Sequence, residues 1–141
     1  MKEQTVLRVV AKLLIPYLLL FGLYVQFHGD YGPGGGFQAG VIFAAGFILY
    51  GLVFGLREAR RIAPPGLLEG LAAFGVLLFA GTGIVTMLLG GNFLDYGALD
   101  RHDPVHGQHL GILIVELGVG ITVAAVMVSI FFAFAGRERA E

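Results

Sequence analysis

Four long apolar stretches dominate this chain, at residues 5–27, 37–56, 67–90 and 109–135. Each supplies about the 20 residues that a helix rising 1.5 Å per residue needs to cross the ~30 Å hydrocarbon layer of a bilayer. Backbone polar groups find no water inside that layer, so a run of this length can only satisfy them as a helix. Charged residues fill 13% of the 141 positions, about half the share usual in a soluble domain. No segment between the stretches is long enough to build a core of its own. The chain therefore reads as one all-α integral membrane domain, 1–141, with four transmembrane helices. The fourth helix is expected to start early, at residue 104, because Asp103-Pro104 pairs an N-cap residue with proline at the first helical position. A secretory signal is the rival reading of the first stretch, but its end, YVQFHGD, has no small-residue cleavage site.

Basic residues orient the helices. Lys2, Arg8 and Lys12 precede or open the first, Arg57, Arg60 and Arg61 follow the second, and Arg137 and Arg139 close the chain. With four crossings all eight fall on one side, and only Arg101 falls on the other, which places both termini in the cytoplasm. A net charge of −1 gives no reason to expect nucleic acid. Without cysteine there are no disulfides and no thiolate metal sites.

The connection between the first two helices, HGDYGPGGG, carries five glycines in nine residues. A Walker loop would continue with lysine and Ser or Thr, whereas Phe37 and Gln38 follow here, so nucleotide binding is excluded. A tight turn explains part of the pattern, since glycine reaches positive φ easily and Pro33 resists helix continuation. The excess of Gly34, Gly35 and Gly36 predicts that the loop backbone lies against another helix or another subunit, presenting His28, Asp30 and Tyr31 at the membrane surface. Gly40, Gly51 and Gly55 extend a small-residue face along the second helix. Gly111, Gly118 and Gly120 mark the fourth helix, and Gly75, Gly81 and Gly83 the third. Such faces let helices approach closely in lipid. Four helices offer few internal neighbours, so some of these faces are expected to meet other subunits.

One acid stands inside an apolar run: Glu116, in GILIVELGVGITV. A bare carboxylate there costs several kcal/mol, so it calls for a proton, a cation or a polar partner. At 100° per residue, His109 and Glu116 fall within about 20° of each other and His106 within about 80° of both. A titratable line is thus expected to descend from Asp103, His106 and His109 to Glu116, histidine being the side chain that changes charge near neutral pH. A structural hydrogen bond to a neighbouring helix is the alternative role for Glu116. For HDPVHGQH the alternatives are a solvated histidine cluster and a metal site, and no second ligand cluster completes the latter. Glu69 is expected near the interface, paired with Arg60 or Arg61, and Gln26, Gln38 and Gln108 near the outer boundary. No nucleophile–base pair or paired catalytic carboxylates are present and no cofactor is implied; the chain does not read as an enzyme.

The segment HGDYGPGGGFQAGVIFAAGFILYGLVFG, with its Pro-Gly-Gly-Gly-Phe run, resembles the B subunit of Mrp-type multisubunit cation/proton antiporters, the MrpB/MnhB family. HLGILIVELGVGITVAAVM and the overall length are similar to that family too, so the resemblance covers nearly the whole chain. One departure is that His28 precedes Gly29, where family members often place the histidine after the glycine. The resemblance implies a small subunit in the membrane of a prokaryotic cell, assembled with other antiporter subunits that exchange sodium for protons. The acidic rim of Asp30, Asp95, Asp100 and Asp103 suits cation attraction. A related subunit of a membrane-bound hydrogenase, or of another complex-I-like redox complex, is the alternative; a self-sufficient channel or scaffold is the third.

Overall fold

The structure is a computed structural model that describes residues 4–29, 31–32 and 34–137. Asp30, Lys2, Pro33 and Arg139, all named above, lie outside the described residues. Five α-helices follow in order: α1 Thr5–His28, α2 Gly36–Phe54, α3 Leu56–Ile62, α4 Pro65–Leu88 and α5 Pro104–Arg137, with a 3₁₀ turn at Tyr96–Leu99. No strand occurs among the described residues. α1, α2, α4 and α5 are each long and apolar enough to span a membrane.

The ends of these helices follow from local chemistry. α2 starts after Gly35 at φ 128° and stops at Gly55, which takes φ 110° and ψ 150°. That conformation is almost confined to glycine, so the chain breaks direction there. The arginine segment after it is therefore the short helix α3 rather than an irregular loop. Pro64 is extended and Pro65 occupies the first turn of α4, where its missing N–H has no helical partner to lose. At the far end, Gly90 at φ 90° closes α4. α1 continues as helix through Pro16.

The spans contact one another in the order α1, α2, α5, α4, forming a curved row with α1 and α4 at its edges. α2 and α5 run parallel; α1 and α4 run antiparallel to them. Close approach is achieved by small residues. A side chain at Gly40 would meet Gly120 O at 2.7 Å and Val123 Cβ at 2.9 Å, and one at Gly118 would meet Gly75 O at 2.7 Å. Thr122 Oγ1 donates across the α4–α5 seam to Ala72 O at 3.2 Å. The bulky apolar side chains point the other way: Val6, Leu20, Leu77 and Leu88 are all exposed, Leu88 at 81%. Alanine and glycine inside with leucine and phenylalanine outside is the arrangement a lipid environment favours, since lipid-facing apolar surface carries no penalty.

A buried apolar cluster, Ala44, Ala59, Leu68, Ala125, Val128 and Phe132, lies at the end where the arginines gather. There Arg8 and Lys12 sit over the Phe54 ring, at 5.4 and 5.9 Å from its centroid. Arg101 stands at the opposite end, its guanidinium donating to Leu89 O.

Candidate functional site

The glycine loop closes on Glu116. α1 ends at His28 and α2 begins at Gly36, and both ends abut the same turn of α5. A methyl group on Gly29 would lie 2.8 Å from Glu116 Oε2 and 2.9 Å from Oε1; one on Gly35 would lie 3.3 Å from Oε1. One on Gly36 would run into the Glu116 backbone carbonyl. Gly34 is held against Val25 O and the backbone of Gly29 by similar crowding, and Gly35 N–H donates to Val25 O at 3.4 Å. Gly29, Gly35 and Gly36 thus answer an approach to the chain's own fifth helix, and Gly34 an approach to the end of α1. Gly40 and Gly51 also pack within the chain, Gly51 against the Phe131 ring. A methyl group on Gly55 would meet nothing within 4 Å in this chain, and the φ of 110° there favours glycine on its own.

Two helix ends of opposite polarity meet at this carboxylate. Gly29 is the C-cap of α1, where free carbonyls concentrate negative dipole, and Gly35 is the N-cap of α2, where free N–H groups concentrate positive dipole. The site is also sunk below the outer end of the protein. Gly118, two residues past Glu116, packs against the Gly75–Phe79 stretch of α4, and α4 runs nine residues further to Leu88, roughly 13 Å of helix. Non-helical backbone at such depth is tolerated where it is enclosed by protein or lines a polar recess. Glu116 itself is partly buried.

The other candidates lie on the segments around this point. His109 is exposed and lies against Tyr31, ring centroids 6.2 Å apart at 18°. His28 stacks on Tyr24 at 5.1 Å. His106 Nδ1 donates to Asp100 Oδ2 at 3.1 Å, on the exposed surface. Asp103 caps α5, its Oδ1 accepting from Val105 N at 3.1 Å and His106 N at 3.2 Å. Asp100 organises the preceding turn, its Oδ1 accepting from His102 N at 3.0 Å and Asp103 N at 3.1 Å. Those backbone donations, Asp103 first and His102 next, hold the Asp100 carboxyl below its usual value, with His106 adding to the effect. Among the described residues no three His, Asp or Glu side chains converge tightly enough to hold a metal ion.

Two expectations about polar residues change. Gln26 is 5% exposed rather than at the surface, with its Oε1 side against Gly120 and its Nε2 without a hydrogen-bond partner among the described residues. It sits one helical turn inward of Glu116, a position its sequence neighbours hardly signal; the only hint is Gly22 four residues earlier on the same face. Arg61 pairs with Glu58 at 3.2 Å, and Arg60 donates to Phe132 O at 3.1 Å, so neither takes Glu69, which is exposed. Gln38 and Gln108 are exposed.

Four spans joined by glycine seams, with a carboxylate set where a non-helical loop meets a helix, define a multi-pass helical membrane protein with one inward-facing acidic position. Residues 6–129 match the family described as a domain related to the MnhB subunit of the Na+/H+ antiporter. Among similar proteins, the "Putative antiporter subunit mnhB2" of Staphylococcus haemolyticus (strain JCSC1435) is 40% identical over 141 residues, covering 98% of this chain and 99% of that protein. The protein of the same name in Staphylococcus aureus (strain Newman) is 38% identical over 139 residues, covering 96% and 98%. The chain belongs to the MnhB family.

Proposed function

We propose that this chain is a small membrane subunit of a multisubunit sodium/proton antiporter, and that Glu116 with the loop glycines forms a proton- or sodium-accepting station in it. Support for the first part comes from the relatives, which are named as antiporter subunits and match from end to end. They are named for antiport and not for redox chemistry, so the hydrogenase-type alternative has no comparable support. Other antiporter subunits are the partners, in the cell membrane of a prokaryote. The arginine-rich end is assigned to the cytoplasm by the bias of basic residues.

The observation that carries the second part is the seating of both Glu116 oxygens directly over the α-carbon of Gly29, at the carbonyl end of α1. A carboxylate at the junction of two helix ends can take a proton or an alkali cation, a use of helix ends seen in ion-coupled transport generally. His109 lies against Tyr31 at the exposed surface, seven residues and two helical turns before Glu116 on the same helix. Glu116 would hold the ion, while His109 and His106 at the surface would relay or attract it.

Glu116→Gln tests this. The amide has nearly the same shape, so the glycine seat and assembly with partner subunits are retained while the acid is lost. Everted membrane vesicles carrying the whole complex are expected to lose most sodium-driven proton movement. Full transport by a normally assembled Glu116→Gln complex would refute the role of Glu116 and leave the chain an assembly subunit.

A further inference from the structure

At the opposite end from Glu116, α3 lines a cleft of about 410 Å3, bounded by Leu56, Arg57, Arg60, Arg61 and Gly136. We propose that this cleft binds the phosphate of an anionic phospholipid.

The cleft is built around Arg60. Its guanidinium crosses from α3 to α5, donates through Nη2 to Phe132 O at 3.1 Å, and stands 5.5 Å from the centre of the Phe132 ring. Gly136 leaves room for that crossing, since a methyl group there would come within 2.8 Å of Nη2 and the guanidinium would have to shift. A planar guanidinium has five N–H donors. With one donor engaged on the carbonyl and the side chain stacked on a ring, the remaining donors are held in a fixed orientation, ready for a bidentate phosphate contact. Arg57 adds a charge with no carboxylate partner among the described residues, and Arg61 shares its charge with Glu58 at 3.2 Å. Three arginines against one carboxylate leave the α3 surface strongly positive.

Position favours a lipid over a soluble anion. α3 begins directly after the α2 span and precedes α4, so it lies at the boundary between the apolar belt and water. Ala59 is the buried residue of α3, and Leu56 lines the cleft beside the arginines. An acyl chain can lie against Leu56 and the adjoining apolar spans while the headgroup meets the arginines. Basic clusters immediately beside transmembrane helices attract anionic lipid in this way. The inference stands independently of any role for Glu116.

Native mass spectrometry of the full chain, released from detergent micelles containing equal amounts of phosphatidylglycerol and phosphatidylcholine, tests it. The wild type is expected to retain phosphatidylglycerol preferentially, and Arg57→Gln, Arg60→Gln and Arg61→Gln to weaken that preference by about fivefold for each charge removed. Arg60→Lys keeps the charge but loses the planar fork, so it should fall between wild type and Arg60→Gln. Arg101→Gln, at the other end, should leave retention unchanged. Equal retention of the two lipids by the wild type would overturn the proposal without any variant, as would an equal loss in Arg101→Gln. Displacement of phosphatidylglycerol by millimolar inorganic phosphate would also overturn it, by showing a site for a free anion.

Discussion

Replacing Gly40 by alanine probes the seam that fixes Glu116 against the glycine loop, because Gly40 lies one turn along α2 from Gly36. The added methyl would sit 2.7 Å from Gly120 O and 2.9 Å from Val123 Cβ, distances at which α2 and α5 must separate. Overpacking of this kind costs about 1–3 kcal/mol. Working against it, alanine is favoured over glycine in a helix interior by about 1 kcal/mol. Gly70 provides the control: it lies equally early in α4, and an added methyl meets nothing within 4 Å. The helix-propensity gain is common to both variants, so the difference between them isolates the packing term. Gly70→Ala should be as stable as wild type or more so. Gly40→Ala should fall below Gly70→Ala by about 1–3 kcal/mol, roughly 5- to 150-fold in the unfolding equilibrium. Titration from mild detergent into dodecyl sulfate, followed by far-ultraviolet circular dichroism, measures both. Equal stability of the two variants would show that α2 and α5 are not in backbone contact at Gly40, and the seat of Glu116 would lose its foundation.

Two further outcomes follow from local structure. Gly55→Ala introduces no clash but forces a side chain into φ 110°, ψ 150°; it should cost about 1–3 kcal/mol by the same titration, and an unchanged midpoint would mean that the α2–α3 break is not imposed by backbone strain. The turn at Asp100 should depend on pH in one direction only. Its carboxyl is held below the usual 3.8 by the N–H groups of Asp103 and His102, so the turn's stabilisation is complete above about that value and is lost as pH falls through the lower native one. The amide signals of His102 and Asp103 in a pH titration by NMR report this, and a midpoint at or above 3.8 would contradict it.

The membrane-spanning character of this chain was legible in its sequence because it rests on an additive property: twenty consecutive apolar residues are apolar whatever they pack against. The cap at Asp103 and the helix start at Pro104 were legible for a similar reason, since both depend on neighbours within four residues. Glu116 stood out as a lone acid in an apolar run. The glycine run announced a close approach of backbone to something, without naming it.

Only the tertiary structure decided what that something is. Gly29, Gly35 and Gly36 are spaced for Glu116, about eighty residues away along the chain, and no periodicity within either segment carries that pairing. Helical phase put His106, His109 and Glu116 near one line. The partners of the two histidines could not be read from that phase: Asp100 pairs with His106, and Tyr31 lies against His109. Gln26 looked like an inexpensive polar residue at a helix end until α5 folded over it. Arg60 looked free to pair with Glu69 until Gly136 and Phe132 drew it across to α5. Hydrophobicity and capping are properties of short segments and can be read locally. Which face of a helix meets which neighbour depends on all four spans packing together, because in lipid the interior is selected by fit between small residues and not by hydrophobicity.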